Sequence, residues 1–373
     1  MAVGSAAVFT SIKNQPCNKI ISISKEDCPM RKIGKRACAG LLAVILTAAV
    51  ASSQAMAMSL EGGASVGVVY NAESMSDIAL SNRIGLDNDA NNRQTLIPGS
   101  EVSANLFSGN LCASLTLFQN FDIPPRDLTL TYNSLDDCDY GFGRGIRTSY
   151  SCQIIDNGDN TYTYIDSTGS PYIFRYIGSG MYQDYKARAI TVDSKGNYNM
   201  MVDGEGSYKF DTDGKMTQMV TGGHATLRIT TVTYREDGLI SSVYNSSSIH
   251  STVYYPPLEY RFEYMVPEGY DHPMVSSIWI IYEDMQQIYS FAYDDHGLSQ
   301  ITKQGEEILS CAMDENGMLS QIGDMDITYL ADGSGRVAGA GDNQYLYGNN
   351  QTIVMDAAGS MNLYQFDENG MIE

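Results

Sequence analysis

The stretch YDDHGLSQI (Tyr293 to Ile301) is followed by MDENGMLSQI (Met313 to Ile322), and both end in Ser-Gln-Ile. The second carries one extra residue after its glycine. In both, an apolar residue precedes Asp-x-x-Gly and another follows it. An Asp at the first position of a type I turn accepts backbone N–H groups through its carboxylate, and a Gly supplies the left-handed conformation that sends the next strand back. Each copy therefore predicts the tip of a β-hairpin, and the pair reads as one hairpin duplicated.

The same turn recurs outward from this pair. Its copies are Asp166 with Gly169, Asp193 with Gly196, Asp211 with Gly214, Asp294 with Gly297, Asp314 with Gly317, Asp356 with Gly359 and Asp367 with Gly370. A weaker copy, Tyr234 to Gly238, keeps the aromatic residue and the glycine but lacks the first Asp. The longer gaps, from Gly238 to Gly297 and from Gly317 to Gly359, leave room for longer or degenerate hairpins such as the one at Asp332-Gly333. A unit of about 20 residues is the period of a repeat architecture.

Between the turns, Tyr, Phe, Ile, Val and Thr alternate with polar residues. In Leu258 to Tyr264 the polar Glu259, Arg261 and Glu263 share one face, and Leu258, Tyr260, Phe262 and Tyr264 the other. Thr161 to Ile165, Ala225 to Tyr234, Ser276 to Tyr282 and Gln286 to Tyr293 read the same way. No amphipathic helix of three turns is expected after residue 60. The fold class is all-β: an array of hairpin repeats forming an extended or spiralling sheet.

The 373 residues hold 23 Lys+Arg against 44 Asp+Glu, a net charge of −21, with 26 Tyr and 35 Gly. That balance argues against nucleic acid as a partner, because phosphate binding needs a clustered cationic surface. The charge is unevenly spread. Residues 1–57 contain seven basic residues and two acids. RKIGKR (Arg31 to Arg36), the apolar run Ala37 to Ala51 and the triplet Ala55-Met56-Ala57 form an export signal, with cleavage expected between Ala57 and Met58. Met30 is an alternative start. The expected product is secreted, extracellular or at the cell surface, with membrane contact only through an uncleaved signal. Residues 58–104 read as a low-complexity lead-in with one or two short strands, 105–180 as an opening segment and 181–373 as the hairpin repeats.

Beyond the leader four cysteines remain, Cys112, Cys138, Cys152 and Cys311, which allow three pairings. Cys138 and Cys152 flank a Gly-rich turn, so a local bridge between them is one of the options. No CxxC spacing is present.

On these residues the chain resembles the RHS or YD-repeat family. Tyr293-Asp294 with Gly297-Leu298 carries the family's repeat in full, and Phe210-Asp211 and Phe366-Asp367 carry it with Phe for Tyr. Asn105 to Leu111, with Gly109-Asn110, is similar to the Gly-Asn entry of the segment that opens such arrays. LTLTYNS (Leu128 to Ser134) matches its Tyr-Asn-Ser strand end, and GFGRG (Gly141 to Gly145) its glycine turn, although Arg144-Gly145-Ile146 stands where a Trp is common. The resemblance implies a spiralling β-shell preceded by a signal peptide. It also implies a secreted or cell-surface protein with carbohydrate binding, or the front of a larger shell enclosing a C-terminal effector. The chain stops three residues past Gly370, so the array is expected to be truncated, with an unpaired return strand.

The residues point to no catalytic centre. The histidines His224, His250, His272 and His296 are scattered, and neither HExxH nor GxSxG occurs. Gly333 to Asp342 lacks the Lys-Ser/Thr end of a phosphate loop. No cofactor is expected; calcium is the alternative, on Asp211-Thr212-Asp213-Gly214 and on Asp156 to Asp159, where acids lie two or three apart. Tyrosines aligned on one sheet face either pack across strands or offer flat amphipathic area to a sugar or protein. The expected function is a secreted, non-enzymatic scaffold or binding module. The alternatives are a carbohydrate-active enzyme with paired carboxylates and a calcium-stabilised adhesion module.

Overall fold

The computed structural model describes residues 76–86, 90–96, 99–120, 127–202, 206–222, 227–247 and 255–373. The export-signal residues Ala55, Ala57 and Met58 lie outside them. The described chain is nearly all β: twenty-six strands and one five-residue helix, α1 (Asp77–Ser81). Ser76 caps α1 by accepting the Ala79 N–H at 3.1 Å. Among the described residues no helix is long and apolar enough to cross a membrane.

The first five strands are β1 (Asn91–Gln94), β2 (Ser100–Asn105), β3 (Leu111–Phe118), β4 (Leu128–Asn133) and β5 (Ile146–Thr148), an antiparallel sheet in chain order. Its middle strands are buried on both faces, with Val102, Ala104, Leu111, Leu128 and the polar Asn105 and Asn133 all at 2% exposure or less. A sheet buried on both faces must be enclosed by something else.

The enclosing element is a ribbon of hairpins. It runs through β6 (Gln153–Asp156), β7 (Thr161–Ile165), β8 (Pro171–Gly178), β9 (Met181–Gln183), β10 (Ala189–Val192), β11 (Tyr198–Val202) and β12 (Gly206–Phe210). It continues through β13 (Met216–Thr221), β14 (Arg228–Tyr234), β15 (Ile240–Ser247), β16 (Leu258–Met265), β17 (Met274–Tyr282), β18 (Met285–Tyr293) and β19 (Leu298–Lys303). It ends with β20 (Glu306–Met313), β21 (Leu319–Ile322), β22 (Met325–Tyr329), β23 (Val337–Ala340), β24 (Asn343–Tyr347), β25 (Gln351–Met355) and β26 (Met361–Gln365). Each strand pairs antiparallel with the one that follows it. The residues after Gly370 turn back onto β26: Ile372 pairs with Phe366, and the Glu373 N–H bonds the Gln365 carbonyl. The return segment is therefore paired, where the sequence suggests an unpaired edge.

The predicted alternation holds in β16. Leu258, Tyr260 and Phe262 are buried, while Arg261 pairs with Glu259 two residues before it on the outer face of the same strand. Several tips carry a register shift: Phe210 pairs with Met216, Tyr234 with Ile240, Tyr293 with Leu298 and Met313 with Leu319. A bulge of this kind sharpens the local twist and bends the ribbon.

The ribbon also returns to its own start. Gln153 of β6 bridges Lys215, and the Ile154 N–H bonds the Gly214 carbonyl at 2.8 Å. Gly214 sits at φ 77°, where a Cβ would lie 1.8 Å from the Ile154 carbonyl oxygen. Only glycine permits both the conformation and the approach.

From β16 onward the ribbon packs on the β1–β5 sheet. The Val337 N–H bonds the Gly109 carbonyl, the Val275 N–H that of Gly141, and Tyr289 donates to the Leu117 carbonyl. Phe142 meets Phe291 edge-on at 5.2 Å, and Phe107 meets Phe366 at 5.7 Å. An apolar cavity of about 50 Å³ lies at this junction, lined by Ala113, Leu115 and Leu130 on one side and Leu298, Leu309 and Leu319 on the other.

Candidate functional site

The seven turn motifs read from the sequence are all hairpin tips, and six share one hydrogen-bond pattern. At Asp193, Oδ1 accepts the N–H of Lys195 at 2.8 Å and of Asn197 at 3.0 Å, and the Gly196 N–H bonds the Asp193 carbonyl. Asp166, Asp211, Asp314, Asp356 and Asp367 repeat it. Asp294 bonds the His296 and Gly297 N–H groups instead, because its turn is one residue shorter. Hydrogen bonds from the Asn197 side chain and backbone hold the Asp193 carboxyl below the usual range, and the Met371 N–H does the same for Asp367. Carboxylates committed to backbone N–H groups are supports for turns rather than acids or bases poised for chemistry.

A further copy of this turn has no glycine. Asp184 accepts from Lys186 and Arg188, the Ala187 N–H bonds the Asp184 carbonyl, and Ala187 takes φ 61°. Arg188 secures it by pairing with Asp184 and lying over the Tyr172 ring at 3.9 Å. The alanine hides this tip from a search for Asp-x-x-Gly.

Of the acids considered for calcium, Asp156, Asp159 and Asp211 are engaged locally. Asp156 accepts the Gly158 N–H, Asp159 the Thr161 N–H, and Asp211 the Asp213 N–H. Among the described residues no three His, Cys, Asp or Glu side chains converge as metal ligands. His224 and His250 lie outside the described residues. His272, on the loop between β16 and β17, stands between two carboxylates: Nδ1 is 2.8 Å from Asp271 and Nε2 3.1 Å from Asp139. Asp139 also accepts the N–H groups of Gly141 and Gly143 in the glycine turn. The Asp271 hydrogen bond, with Asp139 behind it, raises the His272 pKa above the ordinary 6.5.

Beneath that turn Arg147, 1% exposed, pairs with Asp136, bonds the Tyr140 hydroxyl and stacks over the Tyr140 ring. It also donates to the Asp166 carbonyl, which joins the opening segment to the first repeat tip. Cys152 is a free buried thiol whose pKa burial pushes up to about 12, so the Cys138–Cys152 bridge considered above is not made. Cys112 and Cys311 are free as well.

Two sets stand out among the tyrosines. Tyr234, Tyr264, Tyr293 and Tyr329 stand at the ends of β14, β16, β18 and β22, and their hydroxyls donate to the carbonyls of Met216, Ile240, Val275 and Leu319. Each acceptor belongs to an earlier hairpin. Burial raises the pKa of all four. This set holds the sheet together.

The second set runs from the buried side of the ribbon out to water: Tyr198 is buried, Tyr162 and Tyr182 are half-buried and Tyr176 is exposed. Tyr176, Tyr182, Tyr162 and Tyr198 form a chain of edge-to-face contacts with centroids 5.3, 4.6 and 5.3 Å apart. Register puts them on the buried side of the ribbon: Tyr162 pairs with Phe174, and Tyr182 with Tyr176 and with Ile190. They stand at the strand ends, beyond the fully buried Phe174 and Ile190, where that side opens to solvent. Tyr176 is 50% exposed. The Tyr182 hydroxyl donates to Asn160 Oδ1 at 3.1 Å, fixing the ring against the β6–β7 tip. This tyrosine mouth is the candidate functional site. Its strands are legible in the sequence, but which tyrosines are spared from packing depends on where the buried side ends. No protein-family model matches this chain, and no curated protein does either.

Proposed function

We propose that the chain is a secreted, non-enzymatic YD-repeat protein that serves as a surface scaffold and binding module, with ligand contact at the tyrosine mouth. The observation that carries this reading is the contrast between two groups of tyrosines: one is consumed in joining hairpins, while Tyr176, Tyr182 and Tyr162 are held against one another where the ribbon's buried side opens to water. Rigid aromatic side chains at a solvent boundary provide contact area at low entropic cost. The family reading draws support from Asn105, Asn110 and Asn133, which carry the resemblance and are fully buried. Asn110 Nδ2 donates to Asn133 Oδ1 at 2.8 Å, and Asn133 Nδ2 to the Thr168 carbonyl at 2.8 Å, tying the opening segment to the first repeat.

A carbohydrate-active enzyme and a calcium-stabilised module have less to rest on, since the acids nearest the mouth are engaged by backbone N–H groups. The test is an array of glycans and peptides probed with the mature chain and with a Tyr176→Ala/Tyr182→Ala variant. Binding that depends on these tyrosines, without turnover of the bound ligand, is the expected result. Turnover, or binding indifferent to both tyrosines, would overturn the reading.

A further inference from the structure

We propose that Asn316 is a site of spontaneous covalent modification, where deamidation turns the side-chain amide into aspartate or isoaspartate, and that the residues flanking α1 shield Asn369 from the same chemistry. The inference goes beyond the binding reading and does not depend on it. Asn-Gly, in which no side chain hinders attack on the preceding amide, occurs at Asn157, Asn316 and Asn369. Two of these stand in the same pentapeptide, Asp-Glu-Asn-Gly-Met, at Asp314 to Met318 and at Asp367 to Met371. Their turns agree bond for bond. In both, the Asn N–H reaches the Asp Oδ1 at 2.8 Å and the Met N–H reaches it at 2.9 Å, while the Gly N–H bonds the Asp carbonyl at 2.9 and 3.1 Å.

With sequence and turn alike, the surroundings decide. Asn369 Oδ1 accepts from Ser76 Oγ at 2.7 Å and its carbonyl from Asn82 Nδ2 at 3.0 Å. Gly370 is buried against Phe107, where a Cβ would lie 2.5 Å from the ring. At the other tip Asn316 is exposed, and its side chain makes no hydrogen bond among the described residues; Arg144 meets only its carbonyl, at 3.3 Å. A Cβ at Gly317 would meet only the His296 carbonyl oxygen, at 3.8 Å. Asn157 is held at both ends of its amide, donating to Thr161 at 2.9 Å and accepting from Thr163 at 3.1 Å.

In the reaction Gly317 N gives its proton to water or hydroxide and bonds to Asn316 Cγ. The Cγ–Nδ2 bond breaks, and ammonia leaves with a proton taken from water. Water then opens the resulting succinimide at either carbonyl, to aspartate or isoaspartate. Both tips must first release the Gly N–H; only Asn369 must also leave Ser76 before its Cγ can swing onto the nitrogen. Isoaspartate adds a carbon to the main chain between the two N–H groups that Asp314 binds, those of Asn316 and Met318. The tip that leads the buried Met318 and Leu319 into β21 is thereby loosened.

The experiment is incubation of the purified chain at mildly alkaline pH, in buffer and in concentrated urea, with peptide mapping by mass spectrometry over time. In buffer Asn316 is expected to deamidate about five-fold or more faster than Asn369, the factor that one additional hydrogen bond imposes. In urea the two should react at like rates, since the pentapeptides are identical. Ser76→Ala should raise the Asn369 rate towards that of Asn316 and leave Asn316 itself unchanged. The comparison within the unmutated chain holds whether or not that variant folds. Equal rates in buffer, a faster Asn369 or Asn157, a difference that persists in urea, or an Asn369 rate indifferent to Ser76→Ala would overturn the inference.

Discussion

The Tyr293 hydroxyl donates to the Val275 carbonyl at 2.8 Å, and Val275 is the residue paired opposite Tyr264, the tyrosine of the preceding tip. Tyr264 stands in the same relation to Ile240, the partner of Tyr234, and Tyr234 to Met216, the partner of Phe210. The motif's aromatic residue thus links hairpin to hairpin, which strand pairing alone does not do at the tips. At Met313, which has no hydroxyl, the Cys311 thiol takes the Leu298 carbonyl instead. Tyr293→Phe is expected to cost about 1 kcal/mol through the lost hydrogen bond. Tyr293→Ala should cost about 3 to 5 kcal/mol, because a largely buried ring is removed as well. Urea unfolding midpoints measure both, and a silent Tyr293→Phe would remove the hydroxyl from the account.

Two glycines in identical turns separate conformation from contact. Gly214 and Gly359 both take φ 77°, yet a Cβ at Gly359 meets nothing within 4 Å, whereas at Gly214 it meets the Ile154 backbone. Gly359→Ala should cost about 1 to 2 kcal/mol, the left-handed penalty alone. Gly214→Ala adds displacement of β6 and should cost about 4 kcal/mol or more. Equal losses in thermal unfolding would show that the ribbon's return at Ile154 contributes nothing.

His272 makes one contact pH-dependent. Its pKa in the folded chain is raised above 6.5 by Asp271 and Asp139, so the stability it contributes is fully present below pH 6.5. That contribution is lost as pH rises through the raised value. Asp139→Asn should lower the His272 pKa in an NMR titration and flatten the stability difference between about pH 6 and about pH 8.5. Both carboxylate contacts are partly exposed, so the change in unfolding midpoint will be small. A His272 pKa that ignores Asp139→Asn would exclude the contact.

The buried Arg147 and Asp136 predict an asymmetric response. Asp136→Ala leaves a guanidinium at 1% exposure without its carboxylate and should cost about 3 to 5 kcal/mol. The paired replacement Asp136→Leu/Arg147→Met removes both charges and should recover much of that loss. A double variant as unstable as the sum of the two single ones would contradict this account.

The hairpin tips were legible because the turn chemistry is local: an Asp and a Gly three residues apart specify a bonded loop whatever surrounds them. Where Ala187 replaces the glycine, Arg188 and Tyr172 supply the constraint, and these are partners that sequence spacing does not reveal. The alternation in β16 also read correctly, since period 2 reports the inner and outer faces directly. What it does not report is what covers the inner face. The residues before Asn105 read as a low-complexity lead-in with one or two short strands, and β1 and β2 are found there, but that β2 is buried on both sides was not legible. Its Ser, Asn and Ala residues look like loop residues but serve as small buried packing under the ribbon. The tyrosine mouth was hidden for a related reason: Tyr164 and Tyr176 read alike in sequence, and only the ribbon's end leaves one buried and the other wet.

In every one of the four tyrosine links the acceptor precedes the donor along the chain. A chain emerging from the ribosome thus presents each acceptor before the tyrosine that needs it, and the sheet that the ribbon surrounds is made before the ribbon itself. Assembly can proceed in the direction of synthesis, each hairpin finding its docking edge already complete. The arrangement gives a repeat protein a built-in order of construction, in which an added hairpin needs only the one made before it.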